Sequence, residues 1–265
     1  MTIVIRMILN NLNFAWNSRH FWLFTATSRT RARFAKTNLG SFWLGFSNLL
    51  SISTLGIVYG TVFSVDNFKE YFVYLGFGLV IWNTISSSVS SAPDLFTHNS
   101  QNIKNININP LFYTLEEWAF QIQTFLQSFS LVFFILLFIK KSIVLNILLF
   151  SWLPFVNLLI FLYWFPLIIC LIGVRYTDFA QLVPVILQLV FLTSPILYRK
   201  ENLGGLEWIT NYNLIFKILE PLRTSLIEGN VEYKFVLITL LVNIVGMIIS
   251  FYLLHKSTRE LPFLV

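Results

Sequence analysis

The chain has 265 residues, of which 56% are hydrophobic and only 11% are charged. A soluble domain carries about 25% charged residues, so this composition excludes an ordinary soluble protein and predicts an integral membrane protein. The formal net charge of +6 comes entirely from residues 1–41, which contain six Lys and Arg and no Asp or Glu. Because this basic segment is short and adjoins an apolar run, it indicates membrane topology, and no nucleic-acid partner is expected.

The segment 1–41 mixes aromatic and basic side chains, such as Trp16 and Phe24 beside Arg19 and Arg29. That composition favours an amphipathic helix lying in the headgroup plane. The alternative is a simple topology anchor. In either case, the basic residues beside the first span predict that this end lies in the cytoplasm.

Six apolar runs follow, and a helix of about 20 such residues crosses a bilayer. The fold class predicted is therefore all-α and polytopic, with six transmembrane helices: Phe42–Val65, Tyr71–Ala92, Trp118–Ile139, Ile143–Ile172, Phe179–Leu197 and Phe235–Leu254. The fourth run exceeds one straight span, so we expect a kink at Pro154 or Pro166, or one end along the interface. An even number of spans places both termini in the cytoplasm. The division is an interfacial segment 1–41, a six-span domain 42–254 and a tail 255–265.

Two segments between the spans are informative. Asp94–Glu117 is the longest internal cytoplasmic segment, and its polar, almost uncharged stretch suits a protein contact, the alternative being a plain asparagine-rich loop. Residues 199–232 are too polar to span and too apolar for a loop. We predict a re-entrant outer helical hairpin, turned at Gly204-Gly205 and Gly229 and interrupted at Pro221. An ordinary amphipathic outer loop is the alternative.

The sequence lacks the motifs of an enzyme. No G-x-x-x-x-G-K-[ST] phosphate loop occurs, and His20, His98 and His255 are scattered. The single cysteine, Cys170, permits neither an intrachain disulfide nor a cysteine metal cluster. Because the spans contain hardly any ionisable residues, an ion-coupled carrier is not favoured. We expect no catalysis, no metal and no cofactor bound by this chain itself.

Three sequence blocks, in this order around six spans, carry a family resemblance. They are RFAKTNLGSFWLGFSNLL (Arg33–Leu50), RYTDFAQLVPVILQLVFLTSPILY (Arg175–Tyr198) and NYNLIFKILEPLRTSLIEG (Asn211–Gly229). Over about residues 33–260 the chain resembles the membrane permease subunits of ABC-type exporters of O-antigen, capsule and teichoic-acid polysaccharides. It departs from them at Asn48, where proline is usual, and at Asn213-Leu214, where Asn-Pro is usual. The stretch INPLFYTL (Ile108–Leu115) resembles the family's coupling segment, but Glu116-Glu117 follow it where a basic residue is common.

The resemblance implies a channel-forming permease that moves a lipid-linked glycan out of the cytoplasm across the bacterial inner membrane. It implies a homodimer with two copies of a separate nucleotide-binding subunit, which would bind the ATP and magnesium. Six spans are few for a glycan-wide channel, so two copies around a two-fold axis fit the task. The alternatives are an ABC permease for a lipid or drug, a membrane-bound transferase, and a scaffold without transport.

Candidate site residues fall into four groups. The predicted ATPase contacts are Arg29, Arg31, Arg33 and Phe34 in the N-terminal segment and Asn102, Lys104 and Asn107 in the loop. Arg175 and Asp178 are predicted to couple conformational change, or merely to neutralise each other and cap a helix. Tyr59, Trp82 and Tyr198 are candidates for stacking on sugar rings in the conduit. The predicted outer gate consists of Trp208, Tyr212, Lys217, Glu220 and Arg223, the last three turned to water on one helix face or forming a surface ion-pair ladder.

Overall fold

The computed structural model describes residues 2–40, 42–105 and 108–265, with side chains from residue 10 onward. Helix accounts for 82% of it, and these residues form no strand, so the predicted all-α class is confirmed. A 3₁₀ segment, Lys200–Leu206, precedes the eleventh helix. The helices are α1 (Thr2–Asn17), α2 (Arg19–Phe34), α3 (Phe42–Val62), α4 (Phe68–Ser91), α5 (Leu95–His98), α6 (Ser100–Asn105), α7 (Leu111–Ile139), α8 (Ile143–Leu149), α9 (Trp152–Gly173), α10 (Phe179–Thr193), α11 (Trp208–Tyr212), α12 (Leu214–Glu228), α13 (Tyr233–Ser257) and α14 (Leu261–Leu264).

Five helices in the described ranges are long and apolar enough to cross a membrane: α3, α4, α7, α9 and α13. The predicted fifth span, Phe179–Leu197, forms the 15-residue α10, which ends at Thr193. At 1.5 Å per residue it is about 22 Å long, short of a typical hydrocarbon core of about 30 Å. Residues 194–199 continue the run without helical structure.

The predicted fourth span is broken, but not at a proline. Helix α8 ends at Leu149, and α9 begins after the buried Ser151, whose hydroxyl donates to the Asn146 carbonyl (3.2 Å) and accepts from the Ser225 hydroxyl (3.0 Å). Pro154 is the third residue of α9, where a backbone N–H has no intrahelical acceptor, so proline fits there without a kink. Pro166 lies inside α9 without ending it. The run is thus divided at a serine-stabilised break. A kink at Pro166, or an end of the run along the interface, stays a prediction.

Helix α4 is the axis of the bundle. Most side chains from Tyr71 to Ser88 are buried, and only Asn83 and Ser87 are exposed there. Helices α3, α7, α9, α10 and α12 all pack on this helix. Gly78 permits a close approach of Arg223. A Cβ there would lie 3.1 Å from Nη1 of Arg223, so a larger residue would crowd the arginine.

Buried amide groups join α9 to α13, the most extensive helix pairing in the described residues. The Asn157 amide donates to the Thr239 hydroxyl at 2.6 Å, the Trp164 indole donates to Oδ1 of Asn243 at 2.8 Å, and the Asn243 amide donates to the Asn157 carbonyl at 3.0 Å. In a bilayer such interhelical bonds are worth about 1 kcal/mol each. They fix the register of two otherwise apolar helices.

The N-terminal helix α2 docks along the first half of α7. The rings of Trp22 and Trp118 lie 6.2 Å apart, and Gln123 bonds both the Thr30 and the Thr27 hydroxyls at 3.0 Å. Residues 2–34 form two helices, α1 and α2, instead of the single amphipathic helix predicted. Placement of this segment in the headgroup plane stays a prediction.

Candidate functional site

A polar cluster lies where α2, α4 and α7 meet, near the last turn of α4. Glu117 is 6% exposed, and its carboxylate accepts from Nη1 of Arg29 at 2.5 Å, from the Ser91 hydroxyl at 3.0 Å and from the Gln121 amide at 2.8 Å. The Arg29 guanidinium also lies 4.2 Å from the ring centroid of Phe120. We call Arg29, Ser91, Glu117 and Gln121 the Glu117 cluster. Its carboxylate is fully partnered, as a buried charge requires.

The predicted ATPase contacts are partly occupied within the chain. Arg29 is committed to Glu117, and the Arg33 guanidinium lies 5.6 Å and 5.9 Å from the rings of Phe34 and Phe120. Arg31 is exposed and makes no ion pair among the described residues. Asn102 and Lys104 are exposed on α6, whereas Asn107 lies outside the described residues.

A polar stripe runs along one exposed face of α4. Asn83, Ser87 and Ser90 are exposed at positions i, i+4 and i+7, which share one helix face. The Asn83 amide donates to Oδ1 of Asn48 at 2.7 Å, and the Ser87 hydroxyl donates to Oε1 of Gln121 at 3.1 Å. We call Asn48, Asn83, Ser87 and Ser90 the polar stripe. The Ser87 bond connects it to the Glu117 cluster, so polar groups extend from the middle of α4 to its end.

Two of the three conduit candidates, Tyr59 and Tyr198, lie near the end of α4 that is far from the Glu117 cluster, and both contact Phe63. Tyr59 stacks on Phe63 with ring centroids 5.7 Å apart, and Phe63 contacts Tyr198 edge-on at 6.4 Å. Trp82, in contrast, is 5% exposed and packs on Phe191 at 5.4 Å. In this structure α10 therefore covers the ring of Trp82, and its place in a sugar conduit stays a prediction.

Arg223 is completely buried, which corrects the prediction that it faces water. Its Nη1 donates to the Pro195 carbonyl at 2.9 Å, its Nη2 is hydrogen-bonded to Glu220, and its guanidinium carbon lies 3.7 Å from the ring centroid of Tyr74. Tyr71 donates to the Leu197 carbonyl at 2.6 Å. Two motifs that are separate in the sequence, Ser-Pro-Ile (Ser194–Ile196) and Glu-Pro-Leu-Arg (Glu220–Arg223), are thus in direct contact.

The other gate candidates lie around this buried arginine. Lys217 and Glu220 are half-buried, whereas Trp208 and Tyr212 are exposed, with rings 6.3 Å apart. The break in the helix falls at Asn213, whose side chain caps α12 through the Phe216 N–H (3.0 Å) and donates to the Ser194 hydroxyl (2.7 Å).

Pro221 does not interrupt the hairpin segment, contrary to prediction, because α12 runs through it. The glycine turns are found as expected. Gly204 has φ 52° and Gly229 has φ 67°, both in the left-handed region that favours glycine.

Arg175 does not pair with Asp178. Its guanidinium contacts Glu260 at 2.9 Å and the Ser257 hydroxyl at 3.3 Å, so it attaches the start of α10 to the C-terminal tail. Asp178 occupies the N-cap position of α10 without a side-chain capping bond. Mutual neutralisation and capping, the alternative reading of this pair, are therefore both wrong.

Sequence reasoning missed Glu117, Asn48 and Asn83 as functional candidates. Glu117 carried one usable signal, because Glu116-Glu117 departs from the basic residue that is common at this point in the exporter permeases. The asparagines carried a second, as polar residues within apolar runs.

Comparison with known protein families gives a match that covers most of the chain. The family model for the ABC-2 type transporter matches residues 23–227, which include the Glu117 cluster, the polar stripe and the Arg223 contacts. A search of curated proteins finds no match.

Proposed function

Since the chain belongs to the ABC-2 type transporter family, we propose that it is the permease of a polysaccharide exporter. As a member it is the transmembrane component of an ABC transporter and not itself catalytic, and the ATPase resides in a partner subunit. The proposal adds the substrate, a lipid-linked glycan, and the assembly, a homodimer with two ATPase subunits in a bacterial inner membrane.

The polar stripe is the observation that carries the proposal. Asn83, Ser87 and Ser90 are exposed on a helix whose other faces are buried or apolar. Polar side chains at membrane depth face protein or a water-filled path, because lipid leaves their hydrogen bonds unmade. A glycan offers hydroxyl groups that amide and hydroxyl side chains can bind. Tyr59 and Tyr198, near the other end of α4, supply aromatic faces for sugar rings.

A second copy of the chain would close the path. A single chain leaves α3 and α10 largely uncovered, with exposed apolar residues such as Ile57 and Leu189. Pairing two copies across these faces would enclose the polar stripes of both. In the membrane, α10 together with residues 194–199 would form the predicted fifth span, which brings the number of crossings from five to six. Both termini would then lie in the cytoplasm.

The two ends of α4 would have separate tasks. At the cytoplasmic end, the loop 94–117 and the exposed Arg31, Asn102 and Lys104 would contact the ATPase, and Arg175 would transmit movement to α10. At the outer end, residues 202–229 would form a re-entrant hairpin that closes the path at rest. Arg223 would hold this gate onto α4, with Trp208 and Tyr212 facing the exit.

Single-cysteine labelling tests the path. Cys170 is the only cysteine, so a Cys170→Ala chain is a clean background. In membranes, Ser87→Cys and Asn83→Cys should react with a small hydrophilic thiol reagent, whereas Ile244→Cys, exposed on α13 away from the stripe, should not. If all three cysteines react equally slowly with the reagent, the result would contradict a water-filled path along α4.

Export itself is tested in cells. Asn83→Leu combined with Ser87→Leu should abolish cell-surface polysaccharide while the chain still copurifies with its ATPase subunit. Deleting the gene should have the same surface phenotype, and normal surface polysaccharide in both strains would refute the substrate assignment.

One feature favours the alternative substrate, a lipid or apolar drug. A groove of about 560 Å³ opens between α9 and α10 and is lined almost wholly by apolar side chains, including Phe165, Ile169 and Leu187. ATP-driven movement of a fluorescent phospholipid in reconstituted vesicles, with polysaccharide export intact without this protein, would favour that reading.

A further inference from the structure

A cleft of about 380 Å³ opens beside the Glu117 cluster. Its walls come from α2, from α5 and the residues before it, and from the first turns of α7. Six titratable side chains line it: Arg29, Asp94, His98, Tyr113, Glu116 and Glu117.

The cleft is acidic and its charge is not compensated. Arg29 pairs with Glu117, whose carboxylate is already fully hydrogen-bonded. Asp94 and Glu116 make neither a salt bridge nor a side-chain hydrogen bond within the described residues. Two carboxylates therefore remain to attract a cation into the cleft.

Tyr113 gives independent support for a ligand. Its side chain is 3% exposed and lines the cleft, yet its hydroxyl has no hydrogen-bond partner in the part of the chain that the structure describes. Buried hydroxyl groups in native proteins are nearly always paired, because an unmade bond is costly. A donor or acceptor from another molecule would complete it.

We propose that this cleft receives a lysine or arginine side chain of the ATPase subunit. The cation would lie between Asp94 and Glu116 and donate to the Tyr113 hydroxyl. The inference rests on the proposed function, which places this end of α4 in the cytoplasm and the loop 94–117 against the ATPase. A protein cation fits better than a metal ion, because the described residues contain no group of three or more His, Cys, Asp or Glu arranged to hold one.

Binding measurements with the purified chain and its ATPase subunit test the cleft. Asp94→Asn combined with Glu116→Gln should weaken the Kd about tenfold or more and flatten its salt dependence. Tyr113→Phe removes only the hydroxyl and should weaken the Kd about three- to tenfold. Asp66→Asn, an exposed carboxylate between α3 and α4 at the other end of α4, is the matched control and should leave the Kd unchanged. Unaltered elution volume and melting temperature show that each variant folds.

Carbodiimide crosslinking identifies the cation. A zero-length crosslink from Glu116 or Asp94 to a lysine of the ATPase supports the proposal directly. For an arginine, Glu116→Arg should abolish binding and the reciprocal Arg→Glu change in the ATPase should restore it.

Three outcomes separate the hypotheses. A normal Kd for both the Asp94/Glu116 and the Tyr113 variants, with the complex intact, would overturn the cleft assignment and leave the permease function standing. Loss of wild-type binding in a chelator would mean that a divalent cation fills the cleft instead, which also overturns it. A wild-type chain that binds no ATPase subunit at all would refute the proposed function itself.

Discussion

Replacing Arg223 by methionine removes the most deeply buried charge in the described residues while keeping a side chain of similar length. Arg223 is 0% exposed, and it joins three segments that are distant in sequence: Tyr74 on α4, Pro195 after α10 and Glu220 on its own helix. We expect the variant to insert in the membrane but to lose stability, because the Glu220 carboxylate and the Pro195 carbonyl both lose the guanidinium that donates to them.

The magnitude follows from the surroundings. Removing one partner of a buried ion pair costs about 3–5 kcal/mol. The Glu220 side chain is 28% exposed, so water can hydrate the carboxylate that is left. Nε of Arg223 has no hydrogen-bond partner within the described residues, so its removal relieves an unsatisfied donor worth about 1 kcal/mol. The loss of unfolding free energy should therefore lie at the low end, about 3 kcal/mol. For a chain of this size the melting temperature falls by about 6–12 °C.

The melting temperature measures this loss. It is obtained by heating the purified protein in detergent to a series of temperatures and recording the size of the monodisperse peak after each one. Lys234→Met, at an exposed position of α13, is the control and should change the free energy of unfolding by less than about 0.5 kcal/mol. Adding Glu220→Gln to Arg223→Met should recover about 1 kcal/mol or more, since no uncompensated carboxylate remains. An unchanged melting temperature for Arg223→Met, or a double variant less stable than the single, would refute the argument.

Two further substitutions test other contacts. Glu117→Gln keeps the hydrogen bonds to Ser91 and Gln121 but removes the negative charge opposite Arg29. Because Arg29 is 45% exposed, the docking of α2 should weaken by about 1 kcal/mol or less. Trypsin should then cleave α2 up to about fivefold faster than in wild type, and equal cleavage rates would show that the ion pair does not hold this helix in place. Gly246→Val places a Cβ within 2.5–2.7 Å of the Trp164 ring and should abolish the monodisperse peak, whereas Gly205→Val, where a Cβ meets nothing within 4 Å, should express normally; a well-folded Gly246→Val protein would mean that α9 and α13 can separate at little cost.

The sequence predicts those features that depend on local composition. Apolar runs of about 20 residues locate α3, α4 and α13 to within three residues of their boundaries, because a bilayer requires closed helices of that length. The end of α7 at Ile139 is also predicted, but α7 begins at Leu111, seven residues before the predicted Trp118. Glycine at 204 and 229 marks turns correctly, because only glycine adopts positive φ without strain.

Features set by contacts distant in sequence could not be predicted. Ser151, which lies at the break in the fourth apolar run, accepts a hydrogen bond from the Ser225 hydroxyl, 74 residues away. Helical periodicity placed Arg223 on one face with Lys217 and Glu220, and Glu220 is indeed its partner. Its other partners, a carbonyl 28 residues earlier and an aromatic ring on α4, could not be read from that periodicity. Glu117 finds its arginine 88 residues back in the chain. A side chain's neighbours on its own helix are readable from sequence, whereas its neighbours across a helix interface are not.

Helix α4 also has a mechanical consequence. Tyr74, against Arg223, and Ser91, against Glu117, belong to one uninterrupted helix and are 17 residues apart, about 26 Å along its axis. The helix contains no proline and runs without interruption from Phe68 to Ser91, so we treat it as a rod with charged groups packed against both ends. Tilting such a rod by about 10° about one end displaces the other by about 4 Å, more than a hydrogen bond can stretch. A push applied beside Ser91 is therefore felt as a break or shift beside Tyr74, and the distance between the two ends is no barrier to their acting together.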